Sequence, residues 1–245
     1  MGAQDQIPRL EVPDLTEDEV HVWHLDLSKP ADSDGALLRV LSSDEHHRVA
    51  QFRFQPDRRR FSVARAHLRL LLAGYLQSDP AHFQFRNAEK GKPFLDSPHL
   101  DSRLTFNISH SGDAILLAFT RGREIGVDIE QIRHDADLDA IARRFFSSAE
   151  QQRLQELHSE ERPDAFFRCW TRKEAYIKAR GEGLSLPLAQ FDVSIREDDD
   201  NALLATRPDA DEAKRWTLRD IAAPAGYAAA VAASGQGWRV IRRDL

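Results

Sequence analysis

Apolar positions along this chain recur at two spacings, and each change of spacing marks a new element. Residues 20–27 are rich in β-forming side chains and predict a first strand. Ser42 stands three residues before Glu45, a pairing that opens a helix by capping its first turn. Over residues 57–77 the spacing is helical. Phe61, Ala64, Leu68, Leu71, Leu72 and Tyr75 form the apolar stripe, and Arg58, Arg65 and Arg69 fall on a neighbouring face. Strands follow at 104–109, 114–120 and 125–130, with Ser111-Gly112-Asp113 and Arg121-Gly122-Arg123 as turns. Helices are predicted at 137–146 and 148–157. Ser147 with Glu150 and Ser148 with Gln151 both make capping boxes, so the second start is open by one residue. A longer helix runs from about Pro163, which suits a first turn, to Arg180, where Gly181 stops it. Strands return at 191–196, 216–221, 227–233 and 238–242.

A strand, then helices, then strands, then helices and strands again is the order of an α+β fold with mostly antiparallel sheets. Residues 1–19 are polar and predict an irregular lead-in, and the acidic run 197–200 predicts a solvated turn. Gly112-Asp113-Ala114 and Gly226-Tyr227-Ala228 each read as a glycine turn entering a small-residue strand, without proving an internal repeat.

Composition narrows the class. With 245 residues, 41% hydrophobic and 30% charged, the chain can bury a sizeable core. A net charge of −6 argues against a dedicated nucleic-acid binder. The single cysteine, Cys169, lies in a helical pattern and reads as a buried, inert thiol; no disulfide framework or cysteine zinc site can form within the chain. No basic stretch followed by an apolar run opens the chain, and no apolar run approaches a membrane span. A cytoplasmic protein is the expectation.

Chemistry concentrates in two motifs about forty residues apart, Gly126-Val127-Asp128-Ile129-Glu130 and Trp170-Thr171-Arg172-Lys173-Glu174-Ala175-Tyr176-Ile177-Lys178. Strand residues two apart share a face, so Asp128 and Glu130 can converge on one ion. Helix residues four apart stack, so Glu174 and Lys178 can act together. Three hard oxygen donors beside one ammonium suit Mg²⁺ and a phosphorylated substrate. Taken singly, each motif has a plainer reading. Asp128 and Glu130 could face solvent, and Glu174 with Lys178 could be a surface helix pair. Ser109-His110-Ser111 could bind phosphate or merely end a strand, and Lys90-Gly91-Lys92-Pro93 could flank a nucleotide or be a plain loop. No Walker loop and no Gly-x-Gly-x-x-Gly is present.

Taken in order, these pieces resemble the large, surfactin-synthetase-activating type of 4′-phosphopantetheinyl transferase. The matching residues are Gly91-Lys92-Pro93, Phe106-Asn107-Ile108-Ser109-His110-Ser111 and Gly126-Val127-Asp128-Ile129-Glu130. They continue as Phe145-Phe146-Ser147 with Glu150, Trp170-x-x-Lys173-Glu174-x-x-x-Lys178, Gly181-x-Gly183-Leu184-Ser185-Leu186-Pro187-Leu188 and Gly226-Tyr227. The resemblance covers most of residues 40–235. It implies an α+β fold of two similar halves in pseudo-twofold arrangement, residues 1–122 and 123–245, the second carrying the metal and catalytic motifs. It implies transfer of the phosphopantetheine arm of coenzyme A to a serine of an apo acyl, peptidyl or aryl carrier protein, releasing 3′,5′-ADP.

By the same resemblance Asp128, Glu130 and Glu174 would hold Mg²⁺, with Mn²⁺ as an alternative ion. Glu174 would also be the candidate base, directly or through water, and Lys178 would neutralise the phosphate under attack. Ser109 and His110 would contact the ribose 3′-phosphate side, Lys92 and Pro93 would line the adenine, and Arg60 would pair with the 3′-phosphate. Lys173 is a motif residue of open role. A monomer is expected, with no nucleic acid and no membrane as partner. Arg143, Arg144 and the Phe145-Phe146 pair are the candidate docking face for an acidic carrier. Two rivals stay open at this stage: a Mg²⁺-dependent nuclease or phosphodiesterase, and a non-catalytic carrier-protein binder. The carrier's identity, acyl-coenzyme A tolerance and the preferred metal lie beyond the sequence.

Overall fold

The computed structural model describes residues 10–29, 34–96, 102–134, 137–197 and 199–245. Eleven strands and six α-helices are seen among them. In chain order they are β1 (Glu19–Asp26), α1 (Asp34–Leu38), α2 (Ser43–Gln51), α3 (Gln55–Leu76), β2 (Phe85–Asn87), β3 (Pro93–Leu95), β4 (Leu104–Ser111), β5 (Ala114–Arg121), β6 (Ile125–Gln131), α4 (Leu138–Phe145), α5 (Ser148–Glu156), α6 (Arg162–Arg180), β7 (Phe191–Val193), β8 (Leu203–Thr206), β9 (Trp216–Asp220), β10 (Tyr227–Ser234) and β11 (Arg239–Asp244).

The α+β class holds. A four-stranded sheet has the order β11-β1-β5-β4, a three-stranded sheet the order β6-β10-β9, and β2-β3 and β7-β8 are separate hairpins. Pairing is antiparallel except between β1 and β11, which run parallel. The last strand thus returns to the first sheet. Three short strands, β2, β3 and β8, were not expected from the sequence; at three or four residues each they are too short to show a period. The predicted strand at 191–196 is only three residues long and carries a bulge between Asp192 and Val193.

Alternation on β5 shows how the layers assemble. Ile115, Leu117 and Phe119 join α3 in one apolar cluster, while Ala114, Leu116 and Ala118 meet Val127, Ile129, Val231 and Ala233 of the second sheet in another. The far face of that second sheet packs on α6, where Ala230 and Ala232 meet Ala175, Tyr176 and Ala179. Helix α3 is also buried on a second side, because α1 supplies Leu37 and the turn after it Val40 and Leu41 against Ala66 and Leu70. The irregular lead-in is not a free polar tail where it is described: Leu15 is buried, and Leu10 and Val12 pack beside α3. Residues 1–9 of it, and Asp198 of the acidic run, lie outside the described residues.

Both capping boxes form. Ser42 and Glu45 cap α2, and Ser147 with Glu150 caps α5, which settles its start at Ser148. Gly181, at φ 68°, ends α6 in the left-handed region that favours glycine.

The two sheets join along one edge of each. Strand β4 carries a small polar side chain at every second position, and these bond to the backbone beside them. Thr105 Oγ1 donates to Arg123 O at 2.5 Å, and Asn107 Oδ1 accepts from Val127 N–H at 2.9 Å. Ser109 Oγ accepts from Ile129 N–H at 3.4 Å and Ser111 Oγ from Gln131 N–H at 3.0 Å. Side chains here replace the backbone ladder, satisfying the amides of β6 that do not face β10.

Candidate active site

An open cavity of about 350 Å³ lies on this seam, lined by Ile108, Ser109, His110, Asp128, Glu130, Trp170, Glu174 and Lys178. Strand β4 supplies the first three, β6 the two acids, and α6 the last three at fourfold spacing on one helix face. Helix α6 can lie close to β6 because residue 126 is glycine. A Cβ there would stand 2.1 Å from Ala175 O and 2.3 Å from Ala179 N.

Asp128 is buried at 3% exposure. Its Oδ1 accepts from Lys178 Nζ at 2.6 Å and from Ser109 Oγ at 2.8 Å, while Oδ2 is buried with no partner. Glu130 Oε2 accepts from Ser111 Oγ at 2.6 Å. Burial raises the Glu130 pKa, the Ser111 hydrogen bond opposes, and the Asp128 charge adds to the rise. Glu174 is pushed up to about 7 by burial and by the Asp128 and Glu130 charges, against the pull of Lys178. The Asp128 charge raises the pKa of both Glu130 and Glu174, a field that a cation relieves. Their donors are hard oxygens, and one of them is a buried carboxylate oxygen without a partner, so the set fits a hard divalent ion such as Mg²⁺. Among the described residues no three His, Cys, Asp or Glu side chains are gathered as a finished metal cluster. The three acids share a wall and are not drawn to a point.

The other predicted residues divide. His110 is exposed, yet enough protein surrounds its ring that desolvation lowers its pKa, and the Arg60 and Lys178 charges lower it further. Arg60 therefore lies within electrostatic reach of the cavity. Its Nη1 donates to Asp57 at 3.1 Å, and its buried Nε has no partner. Ser109 is 6% exposed and faces inward, its hydroxyl engaged by Asp128, Lys178 and the Ile129 amide.

Lys92 and Pro93 belong to a second cavity, of about 410 Å³, walled by Phe94, Leu95, Leu104 and Phe106. The Lys92 ammonium closes the end of α6 by donating to Ile125 O at 2.9 Å and Ala179 O at 3.3 Å, and burial lowers its pKa. The two cavities follow one another along β4. Their lining residues on that strand begin four positions apart, about 13 Å along an extended chain.

Lys173, whose role the sequence left open, is fully buried. It donates to Glu150 Oε1 at 2.8 Å, Leu188 O at 2.8 Å and Phe191 O at 2.7 Å. The candidate docking face needs one correction. Arg143 and Arg144 are exposed and Phe145 is half-buried, but Phe146 is core, at 2% exposure and stacked on Phe166. Phe145 instead meets Trp170 edge-on at 5.7 Å, linking α4 to the cavity wall. Two motif residues take roles the sequence did not give them: Ser111, read as a possible phosphate contact, holds Glu130, and Trp170 is a wall of the cavity. The alternation Thr105, Asn107, Ser109, Ser111 was the signal for the first.

Residues 124–232 match the family model of the 4′-phosphopantetheinyl transferase superfamily, and residues 29–121 match the 4′-phosphopantetheinyl transferase N-terminal family. The chain belongs to the 4′-phosphopantetheinyl transferase superfamily, and within it to the Sfp type of transferase enzymes. It is 38% identical to the 4′-phosphopantetheinyl transferase HetI of Nostoc sp., over 93% of this chain and 93% of that protein. It is 31% identical to the 4′-phosphopantetheinyl transferase Sfp of Bacillus subtilis, over 74% of this chain and 78% of that one. A human relative, the L-aminoadipate-semialdehyde dehydrogenase-phosphopantetheinyl transferase, is 31% identical over 75% of this chain and 63% of its own. The solved holo-[acyl-carrier-protein] synthase of Thermotoga maritima overlaps 45% of this chain and 62% of its own, at TM-score 0.36 and 16% identity. Among the described residues no helix is long and apolar enough to cross a membrane.

Proposed function

We propose that this chain transfers the 4′-phosphopantetheine arm of coenzyme A to a serine of an apo carrier protein, releasing 3′,5′-ADP, with Mg²⁺ or alternatively Mn²⁺ as the ion. The observation that carries the proposal is the gathering of Asp128, Glu130, Glu174 and Lys178, from two motifs far apart in sequence, around one cavity. Asp128, Glu130 and Glu174 would hold the ion, which when bound supplies positive charge to the coenzyme A pyrophosphate. Lys178 places its ammonium beside Asp128 at the cavity wall, where it can offset charge on the phosphate under attack. Glu174 can take the proton of the carrier serine, directly or through water, and a pKa of about 7 suits that task near neutral pH. Positioning and charge neutralisation carry most of such a transfer, since the phosphate gains little from covalent help.

Arg60 and His110 would receive the 3′-phosphate; the unpartnered Arg60 Nε supports this. Lys92 and Pro93 would border the adenine in the neighbouring cavity, whose apolar walls suit a flat base. Ser109 would act on the 3′-phosphate side through the seam it anchors. The exposed Arg143 and Arg144 beside Phe145 would meet an acidic carrier. We read the chain as two halves meeting at residue 122, supported by family matches that end at 121 and begin at 124. A cytoplasmic monomer completes the proposal, and a dimeric mass by light scattering would remove that part.

The test is the intact mass of an apo carrier protein incubated with this enzyme, coenzyme A and Mg²⁺. The expected result is a gain of one phosphopantetheine on the carrier serine, lost with Glu174→Gln or Asp128→Asn. Carrier binding with an unchanged mass would mark a non-catalytic binder, and the absence of both mass gain and coenzyme A binding would overturn the reading. In the same assay, Arg143→Glu with Arg144→Glu raises the carrier concentration needed for half-maximal rate; an unchanged value would move the docking face elsewhere.

A further inference from the structure

The two acids of β6 are held by one device, repeated two residues apart. Ser109 Oγ accepts from the Ile129 amide at 3.4 Å and donates to Asp128 Oδ1 at 2.8 Å. Ser111 Oγ accepts from the Gln131 amide at 3.0 Å and donates to Glu130 Oε2 at 2.6 Å. In each case the amide that follows the acid fixes a lone pair of the hydroxyl. The hydroxyl's single proton is then aimed at the acid. The amides belong to a strand paired throughout with β10, so hydroxyl and carboxylate are referred to the same rigid frame. Asn107 repeats the amide contact at Val127, 2.9 Å, where the residue before is Gly126 and no acid stands. It is a rung of the seam and nothing more.

Ser109 has no capacity to spare for the second acid. Its proton goes to Asp128, and its lone pairs take the Ile129 amide and Lys178 Nζ at 3.0 Å. Glu130 has a longer side chain than Asp128 and lies nearer the open end of the strand, so without a donor its carboxylate can turn through more rotamers.

We propose that Ser111 is a positioning residue for Glu130, holding that carboxylate in the orientation in which it takes a divalent cation. The inference rests on the ion-holding role given to Glu130 above. An outer partner of a metal-binding acid fixes its direction and sets affinity without touching the ion.

The test measures Mn²⁺ affinity of the full chain by the electron paramagnetic resonance signal of free Mn²⁺. It is paired with thermal unfolding and with the Mg²⁺ dependence of transfer. Ser111→Ala weakens Mn²⁺ binding about tenfold and raises the Mg²⁺ half-saturation similarly, with the KM for coenzyme A within about twofold. Ser111→Thr, which keeps the hydroxyl, restores affinity to within about threefold, and Ser111→Cys, a weaker donor, falls between. Asn107→Ala removes a rung without a carboxylate partner, so it lowers the unfolding temperature but leaves Mn²⁺ affinity within about threefold. Wild-type affinity in Ser111→Ala, or an equal loss in Asn107→Ala, overturns the assignment. A wild-type chain that binds no Mn²⁺ brings down the ion-holding reading itself, and the Ser111 role with it.

Discussion

Helix α6 carries two lysine–carboxylate pairs whose surroundings differ. Lys173 and Glu150 are both 0% exposed, and every charged atom of the pair has a partner. The ammonium has three acceptors, Glu150 and the carbonyls of Leu188 and Phe191. The carboxylate accepts from Lys173, from Val193 N–H at 2.7 Å and from Ser147 N–H at 2.8 Å. Lys178 and Asp128 stand at 2.6 Å on a cavity wall, with the lysine side chain 29% exposed and Asp128 Oδ2 unpartnered. A fully buried charge pair in which every charged atom is hydrogen-bonded ties α5, α6 and the chain around β7 together and is closed to a substrate. Lys178 also has three acceptors, Asp128, Ser109 and the Val127 carbonyl, but its side chain is partly exposed on a cavity and its partner keeps a free carboxylate oxygen, so this pair can do chemistry. Five residues of one helix separate architecture from reactivity.

The largest test of this contrast exchanges the two lysines for methionine. Lys178→Met lowers transfer about a thousandfold, measured as initial rate on an apo carrier. Its destabilisation is no more than about 2 kcal/mol, because Asp128 borders an open cavity. Lys173→Met strands Glu150 in the core and destabilises by about 3–5 kcal/mol in urea unfolding. A stable Lys173→Met alongside an unfolded Lys178→Met would reverse the roles.

Next in size is the anion end of the site. Arg60→Ala raises the KM for coenzyme A about tenfold or more, the effect of losing a charged hydrogen bond to phosphate. With 3′-dephospho-coenzyme A as substrate, wild type and variant converge. An equal loss on both substrates would give Arg60 a purely structural part.

The smallest effect sharpens the reactive side of the comparison. Glu174 has a folded-state pKa of about 7, above the ordinary glutamate value of 4.5. Such a group contributes stability below its unfolded pKa, and that contribution is lost as pH rises through the folded value. Glu174→Gln therefore raises the stability of the ion-free protein at pH 8 by about 1–2 kcal/mol, after discounting for partial exposure. The gain shrinks toward zero as pH falls from 8 to 5. Calorimetric melting at both ends checks it, and a gain that does not vary with pH would remove the electrostatic cause.

Much of this was legible in the residues. The stripe of α3, the capping pairs Ser42–Glu45 and Ser147–Glu150, and the shared faces of Asp128 with Glu130 and Glu174 with Lys178 are local relations over two to four positions. Backbone periodicity makes such relations, so sequence displays them directly. The paired hydroxyls of β4 were nearly visible, as small polar residues at every second position. Their partners were not, because β6 reaches β4 only through the seam between sheets.

The amino-acid sequence by itself determined the α+β class, the order of the longer elements, the motifs and the family to which they belong. Only the tertiary structure decided that Lys173 is sealed and Lys178 is open, since Glu150, Leu188 and Phe191 come from other segments. It also decided that Lys92 closes the end of α6 in a separate cavity, that Phe146 is core, and that β11 runs beside β1. Each of these depends on which surfaces exclude water when distant segments pack. Burial of that kind is a property of the assembled layers and has no local period to read.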